Sequence, residues 1–295
     1  MIDKVAVITS QICDRAYLWG RVVRFSHTLF ALPFALSMLF VVARDLVVNV
    51  NQVAWILVAL VSARTAAMGF NRIVDRDIDR LNPRTAMREL PAGLVSLSSV
   101  TLLVCVSSVV FLLSAYFLGM HCLILAPIVL SALLGYSYAK RFTACSHLIL
   151  GLGLALAPGG VWYALTAQFA SEPLWMMLGV LCWVAGFDII YSLQDCDFDA
   201  STGLHSIPRW LGAQRACQLA RGLHALAIVC FLIFGVALNL GVIYFASTAL
   251  FAISVFSQYG KISLESTDKI DAVFFSHNAI ASLLFGMGTI LDVVV

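Results

Sequence analysis

Nine stretches of roughly 20 mostly apolar residues recur along the 295-residue chain, and they restrict its fold more than any other feature. A helix of about 20 apolar residues spans the hydrocarbon core of a bilayer and satisfies its own backbone polar groups there. Charged residues make up 12% of the sequence, about half the share that a soluble domain carries. We therefore predict an all-α, polytopic membrane protein with nine transmembrane helices, forming one domain over residues 1–295. The predicted spans are residues 25–44, 52–71, 97–118, 120–138, 147–168, 173–193, 217–237, 240–258 and 273–294.

The connections between these spans differ in length and charge, and the difference predicts an orientation. Of the 18 Lys and Arg residues, 16 lie before the first span or after an even-numbered span, leaving Arg44 and Arg64 elsewhere. Basic connections stay on the cytoplasmic side of a membrane. We therefore expect a multi-pass protein of the cell (inner) membrane with a cytoplasmic N-terminus and an external C-terminus. The lipid bilayer is its expected surrounding, and nothing in the sequence indicates a nucleic-acid partner or an obligate protein partner.

Two acidic clusters end the second and sixth predicted spans. A carboxylate at the centre of a membrane helix costs about 2.5–3.5 kcal/mol, and less near the helix ends, so these groups need a partner. Spacings of i, i+4 and i+8 put the members of a cluster on one helix face. Oxygen ligands of this kind suit Mg²⁺, which is shared between carboxylates and a substrate's phosphates. The first cluster comprises Asn71, Asp75 and Asp79, and the second comprises Asp188, Tyr191, Asp195 and Asp199.

We expect the two clusters to face each other at the cytoplasmic membrane surface, bridged through Mg²⁺ to a polyanion. Asp77 and Asp197 fall on other helix faces, where they are expected to be solvated or paired with arginine. Cations that bind phosphate oxygens lie in the nearby connections, although each has an alternative interpretation as an anchor at the lipid headgroups. These cations are Arg84, Arg88, Lys140, Arg141, His205 and Arg209.

Some features leave alternatives open. Isolated histidines such as His147 are interpreted as packing or interfacial residues, with His27 the exception to test. Arg64 lies two turns before Asn71, and it either reaches the bundle interior or pairs with Asp188. The 2/3 and 6/7 helix pairs hint at an internal duplication, since each begins with a span that ends in an acidic cluster. Paired acidic helices also form ion pathways, so an ion-coupled transporter is the alternative to an enzyme.

These motifs resemble the signatures of the UbiA superfamily of membrane prenyltransferases, in its 4-hydroxybenzoate and naphthoate polyprenyltransferase branch. Residues 71–93 resemble the first signature, with the Asn71-x-x-x-Asp75-x-x-x-Asp79 spacing followed by Arg84-Thr85 and Leu90-Pro91-Ala92-Gly93. Residues 188–206 resemble the second signature, and residues 138–141 are similar to the intervening Tyr/Lys motif. Nine spans also fit the family's fold, so the resemblance covers nearly the whole chain.

The resemblance implies a helical bundle around a central chamber, in which a prenyl group passes from its diphosphate to an aromatic ring with Mg²⁺ as cofactor. The implied substrates are a polyprenyl diphosphate and an aromatic acid or other quinone precursor, such as 4-hydroxybenzoate, in ubiquinone or menaquinone biosynthesis. By the same resemblance, Asp75, Asp79, Asp195 and Asp199 are catalytic and, with Asn71, hold Mg²⁺. The implied diphosphate contacts are Asn71, Arg84, Arg88, Lys140, Arg141 and His205. The implied substrate contacts are Ser26, His27, Tyr138, Asp188 and Tyr191.

Two positions depart from the family pattern. Many members carry Asp directly after the first Asn, where this chain has Arg72. Many also carry Lys where His205 stands, which makes the charge at that position dependent on pH. The acceptor is open at this point, with naphthoate and haem as alternatives to 4-hydroxybenzoate.

Overall fold

The computed structural model describes residues 14–261 and 270–295, and within these ranges it contains helices and no strands. Nine helices in the described part are long and apolar enough to cross a membrane, which confirms the predicted fold class. Lys4 and Lys269, which contributed to the predicted orientation, lie outside the described residues. The α-helices of these nine spans are α1 (Leu32–Ala43), α2 (Val50–Val74), α3 (Leu97–Leu118), α4 (Met120–Gly135), α5 (Ser146–Thr166), α6 (Glu172–Ser192), α7 (Ala213–Ala237), α8 (Val242–Ser257) and α9 (Ile270–Val294). Adjoining 3₁₀ turns extend the spans of α1, α4 and α8 to Phe25–Ala43, Met120–Arg141 and Val242–Gly260.

The observed spans agree with the predicted ones to within a few residues at most ends, because long apolar runs alone determine them. The largest difference is in the sixth span, which runs Glu172–Thr202 where the sequence predicts 173–193. Short helical turns after Ser192 extend this span and carry the second acidic cluster. The predicted tight turn between α3 and α4 is also present, at Gly119, whose φ of 139° favours glycine.

Helix α6 forms the centre of the bundle. It packs along α5 and α7 and also contacts α9, and most of its side chains are buried. A helix that is apolar all round belongs in an interior. Trp183, fully buried on α6, donates its Nε1–H to Asn278 Oδ1 on α9 at 2.9 Å. The second acidic cluster therefore lies near the middle of one end of the bundle, which we call the acidic end because α2 and α6 both finish there.

Each acidic cluster lies where a long helix changes conformation. Helix α2 ends at Val74, and Asp75 leaves the helical conformation with φ −91° and ψ 2° before the short helix Arg76–Leu81. The amides of Asp75 and Asp79 still donate to the carbonyls of Asn71 and Asp75, at 2.9 and 2.7 Å, so helical hydrogen bonding continues through this change. Helix α6 passes through a 3₁₀ turn, Leu193–Asp195, into the short helix Cys196–Thr202. The single helix face shared by the members of each cluster stays a prediction.

Residues 14–22 form a helix that lies against the connection following the first acidic cluster. Val22 belongs to a small apolar cluster with Leu90 of that connection. Arg21 Nε forms an ion pair with Glu89 Oε1 at 2.7 Å. Arg72, which is 3% exposed, donates its Nε–H to the carbonyl of Val22 at 3.2 Å. This N-terminal helix therefore holds one wall of the acidic end in place.

Candidate active site

The connection after the first acidic cluster reaches across to the second one. Arg84 donates Nε–H to Asp195 Oδ1 at 2.9 Å, and its Nη2 pairs with Asp195 Oδ2 in a bidentate contact. Asn82 Nδ2 also donates to Asp195 Oδ1, at 2.9 Å. Burial opposes the charge on Arg84, but the hydrogen bonds and charge of Asp195 outweigh it and raise the Arg84 pKa above its usual value. The two motifs therefore come together, as the sequence predicts.

Asp79 of the first cluster is enclosed by guanidinium groups. Arg88 Nη1 lies 2.8 Å from Asp79 Oδ1 and 2.9 Å from Oδ2. Arg72 Nη1 lies 3.8 Å from Asp79 Oδ2, and both Arg72 and Asp79 are buried. Arg72, which departs from the family pattern, is thus a buried cation that compensates the negative charge of Asp79. An aspartate at this position would instead add a second negative charge.

Asp75 contrasts with Asp79 because no cation binds it directly. Its only side-chain hydrogen bond in the described structure comes from Asn71 Nδ2, at 2.8 Å from Oδ2. Burial, followed by the charge of Asp79, raises the pKa of Asp75 to about 6. A carboxylate whose charge is disfavoured in this way gains from a bound cation.

Asp199 and Lys140 have no ion-pair partner within 4 Å among the described residues. Asp199 is 2% exposed, the Ser206 hydroxyl is a neighbouring donor, and Asp199 Oδ2 has no hydrogen-bond partner in this part of the chain. Lys140 is partly buried and interacts electrostatically with Asp188, Asp199, Asp195 and Asp75. An ammonium and a buried carboxylate oxygen without an ion-pair partner leave polar capacity for one anion and one cation.

The carboxylates of the site supply oxygen ligands of the kind that Mg²⁺ prefers. Within the described ranges no three His, Cys, Asp or Glu side chains cluster closely enough to hold a metal alone. Mg²⁺ does not need such a cage, since it commonly uses one or two carboxylates plus substrate phosphates and water. The unpartnered oxygen of Asp199 and the uncompensated charge of Asp75 supply carboxylates of this kind, so the residues fit the ion.

Tyr191 connects the charged groups to an aromatic wall. Its hydroxyl oxygen accepts from Arg84 Nη1 at 2.8 Å and from Arg24 Nη1 at 3.4 Å. The Tyr191 ring lies 4.9 Å from that of Phe274, and the Arg84 guanidinium lies 5.1 Å from the Tyr191 ring centroid. His27 extends this wall, since its ring lies 5.0 Å from that of Phe30. Tyr191 and His27 thus lie in the surroundings that the sequence predicts for substrate contacts.

Three other predicted residues are peripheral. Arg141 is exposed and donates Nη2–H to the carbonyl of Val74 at 2.7 Å, so it binds the end of α2 and no carboxylate. Tyr138 is 41% exposed, and the Arg141 guanidinium lies over its ring at 5.3 Å. Ser26 is exposed and forms no hydrogen bond within the described structure. Asp77, as expected, is solvated and paired with Arg76, with Nε 3.0 Å from Oδ1.

His205 lies beside Lys140 in the backbone but not through its side chain. Its amide donates to the carbonyl of Lys140 at 2.8 Å. The His205 side chain lines a surface cavity of about 510 Å³ together with Ser206 and Arg209. Arg209 donates to the carbonyl of Leu204, so it stabilises its own turn. The structure therefore places His205 at the edge of the site.

Arg64 and Tyr136 are residues of the site to which the sequence assigned no definite role. Both line a largely apolar cavity of about 370 Å³ that extends between helices α2 to α6. Arg64 Nη2 donates to the carbonyl of Arg24 at 3.4 Å, and Arg64 Nε has no partner among the described residues. The position of Arg64 two turns before Asn71 is the sequence feature that indicates a place in the bundle interior. Tyr136 begins the 3₁₀ helix that carries Lys140, so the cavity and the charged groups are adjacent.

Asp188 pairs with His147, and not with Arg64. The His147 Nδ1 atom lies 2.6 Å from Asp188 Oδ2, and the imidazole is fully buried. The interpretation of His147 as a packing residue was therefore incomplete, and the suggested Arg64–Asp188 pair is wrong. No spacing rule indicates a contact between residues on two different helices, so only the packing of α5 against α6 discloses it.

Comparison with known proteins places these features in a family. Residues 31–280 match the UbiA prenyltransferase family. The apo structure of a UbiA homologue from Aeropyrum pernix K1 is 37% identical and superposes with a TM-score of 0.82, covering 90% of this chain and 98% of that one. A UbiA homologue from Archaeoglobus fulgidus bound to GPP and Mg²⁺ shares the fold, with a TM-score of 0.70, 19% identity, and coverage of 94% and 100%.

Curated relatives match over shorter segments. A 4-hydroxybenzoate octaprenyltransferase from Francisella tularensis subsp. novicida (strain U112) is 28% identical over 158 residues, which are 54% of this chain and 56% of that protein. A polyprenyl transferase from Arthrobotrys oligospora is 33% identical over 154 residues, which are 51% of this chain and 42% of that protein. The match thus spans about half the length of these curated relatives.

Proposed function

The chain belongs to the UbiA prenyltransferase family, and from this premise we propose that it transfers a polyprenyl group from its diphosphate to an aromatic acid. The proposed acceptor is 4-hydroxybenzoate or a related quinone precursor, in ubiquinone or menaquinone biosynthesis. The observation that carries the proposal is the unpaired Lys140 ammonium, which lies between two facing carboxylate clusters and beside a large apolar cavity. A prenyl diphosphate fits both features, because its anionic diphosphate can bind the ammonium and its hydrocarbon tail can fill the apolar cavity.

Asp75 and Asp199, with Asn71 beside Asp75, are the residues assigned to hold Mg²⁺. When bound, the ion supplies positive charge that stabilises the diphosphate as it leaves. Asp79 and Asp195, the other expected ligands, are each held by a guanidinium group. We assign them the role of orienting Arg88 and Arg84 toward the diphosphate.

The charged side chains of this protein act where negative charge develops. As the bond between the prenyl C1 atom and the diphosphate oxygen lengthens, Lys140 and Arg84 lie near enough to the clusters to stabilise the departing oxygens. Preorganised charges of this kind contribute most in a site that excludes water. The apolar cavity, lined by residues such as Leu60 and Leu154, accommodates the prenyl chain and keeps water from the allylic cation.

Aromatic rings next to the diphosphate site stabilise the allylic cation. Tyr191 and Phe274 are in contact, and Phe30 and Phe187 continue the wall at ring distances of 5.3–5.6 Å. A ring face attracts a cation by about 0.5–2 kcal/mol, and most strongly where water is absent.

Arg64 favours an acidic acceptor. Its guanidinium lines the apolar cavity and has no carboxylate within 4 Å among the described residues. Arginine binds a carboxylate through two parallel hydrogen bonds, and the unpartnered Nε supplies one of the two donors. The carboxylate of an aromatic acid would satisfy this cation. The name of the Francisella relative supports the same class of acceptor.

The proposal is tested with membranes that contain the overexpressed protein. They are incubated with prenyl diphosphates of several lengths and with 4-hydroxybenzoate, a dihydroxynaphthoate or haem, and the products are identified by mass spectrometry. We expect prenylated 4-hydroxybenzoate that disappears with EDTA and returns with Mg²⁺. Membranes that make no ring-prenylated product with any acceptor would contradict the proposal, and an ion-coupled transporter would leave the prenyl diphosphate unconsumed.

We further propose that the protein lies in the inner membrane with its acidic end in the cytoplasm. The basic residues at that end, including Arg84, Arg88 and Arg141, support this orientation. Alkaline phosphatase fused after Val295 should be active and green fluorescent protein at the same position should be dark. The opposite pair of results would reverse the orientation.

A further inference from the structure

The His147–Asp188 pair is a second polar centre in the acidic end that the diphosphate site does not use. His147 lies in the first turn of α5 and is fully buried, whereas the Asp188 side chain on α6 is 20% exposed. Asp188 Oδ2 contacts His147, and Asp188 Oδ1 has no hydrogen-bond partner among the described residues. One oxygen of a carboxylate is thus fixed while the other is available.

The partners of His147 determine its protonation. The amide of Ile207 donates to His147 Nε2 at 3.4 Å, so Nε2 is an acceptor and carries no proton. The ring proton is therefore on Nδ1, from which it is donated to Asp188 Oδ2 at 2.6 Å. A neutral imidazole whose second nitrogen is held by backbone orients its carboxylate partner without adding a competing charge.

Asp188 is placed next to the reacting groups. It precedes Tyr191 by one turn on α6, and Tyr191 contacts Arg84 and Phe274. Lys140, the unpaired cation of the diphosphate site, interacts electrostatically with Asp188. The partly exposed Asp188 carboxylate therefore lies one helical turn from Tyr191 and close enough to Lys140 for their charges to interact.

We propose that Asp188 accepts the proton that the acceptor ring loses, and that His147 is the positioning residue for Asp188. The inference rests on the proposed function. The C1–O bond breaks and the diphosphate leaves with its electron pair, after which a ring carbon uses a pair of ring electrons to form a bond to C1 of the allylic cation. The ring then carries one positive charge. Transfer of the proton from the substituted carbon to Asp188 Oδ1 returns the C–H electron pair to the ring, and the carboxylic acid later releases its proton to water.

A ring-deuterium isotope effect on kcat tests the proposal. In the wild-type protein proton removal is fast, so 4-hydroxybenzoate deuterated next to the hydroxyl should give the same kcat as the unlabelled acid. In Asp188→Asn proton removal becomes the slow step. We expect kcat to fall by about 10²- to 10⁴-fold, the usual contribution of a general base, with little change in KM and with a clear isotope effect. His147→Asn should give a smaller loss of kcat with an isotope effect in the same direction.

His224→Asn is the matched control. His224 is also fully buried, but it bonds the Trp183 carbonyl at 3.2 Å and the Tyr259 hydroxyl at 2.8 Å, away from the carboxylate clusters. It should lower the melting temperature without creating an isotope effect. If Asp188→Asn does not fold, the isotope effect on kcat is measured in His147→Asn and in Asp188→Glu instead.

Two results would overturn the inference: wild-type kcat in Asp188→Asn, or a loss of kcat in both Asp188→Asn and His147→Asn without any isotope effect. These results differ from a failure of the proposed function, in which the wild-type protein itself would form no ring-prenylated product. A wild-type enzyme that prenylates 4-hydroxybenzoate, together with either overturning result, removes only the role of Asp188.

Discussion

The two acidic clusters have the same spacing but different electrostatic surroundings. In each cluster one aspartate is bound to a guanidinium, Asp79 by Arg88 and Asp195 by Arg84. The other aspartate has no cation in direct contact, and this applies to Asp75 and to Asp199. Repetition of a carboxylate every fourth residue therefore does not give equivalent carboxylates. The pattern separates aspartates that bind arginine from aspartates without a cation in direct contact, to which we assign the metal.

Among the substitutions that test this comparison, Asp199→Asn should give the largest effect, because it removes the carboxylate with an unpartnered buried oxygen. We expect kcat for prenyl transfer to fall by about 10²- to 10³-fold, the range for loss of one preorganised electrostatic contact. Asp197→Asn is the control, since Asp197 is exposed two residues earlier on the same short helix. Equal activities of the two variants in membranes would contradict the division between the two kinds of aspartate.

Arg84→Met should have the next largest effect, because it leaves Asp195 buried with only Asn82 as a partner. Removal of one member of a buried ion pair costs about 3–5 kcal/mol, so both activity and the melting temperature in detergent should fall. Arg84→Lys restores the charge but not the bidentate contact, and it should recover only part of either quantity. A full recovery with lysine would mean that the charge alone matters.

Asp75→Asn and Asp79→Asn compare the two kinds of aspartate within one cluster. Asp79→Asn leaves Arg72 and Arg88 without their carboxylate and should lower the melting temperature more. Asp75→Asn removes a disfavoured charge and should instead raise the Mg²⁺ concentration needed for half-maximal activity. Thermal unfolding and Mg²⁺ titration of both variants measure this difference, and the reverse order in both assays would assign the roles the other way round.

Arg141→Gln should have the smallest effect. Arg141 is exposed and binds the Val74 carbonyl, and exposed charges of this type contribute about 0–1 kcal/mol. We expect transfer activity within about fivefold of the wild type, which corresponds to that energy. Loss of activity as large as that of Arg84→Met would place Arg141 at the diphosphate.

The helices and the proximity of the two acidic clusters could be predicted from the sequence, but the side-chain contacts within the site could not. Apolar run length determines a membrane helix locally, so spans such as 97–118 and 273–294 could be predicted closely, whereas the polar end of the sixth span could not. The partners of Asp195 and Asp79 depend on how a connection folds back. The His147–Asp188 contact depends on which faces of α5 and α6 meet. No proline or glycine near Asp75 indicates the end of α2 in the sequence. Arg72 and Arg141 form tertiary contacts there, to the carbonyls of Val22 and Val74, and such contacts cannot be predicted from local sequence.

The contacts between the N-terminal helix and the acidic end affect how this enzyme should be tagged for purification. The Val22 carbonyl is the second partner of Arg72, which compensates Asp79, so two contacts connect residues 14–22 to the first acidic cluster. Shortening the chain before Arg24, or fusing a bulky affinity tag there, would loosen Arg72 and with it the electrostatic balance at Asp79. The C-terminus is the safer handle for capture.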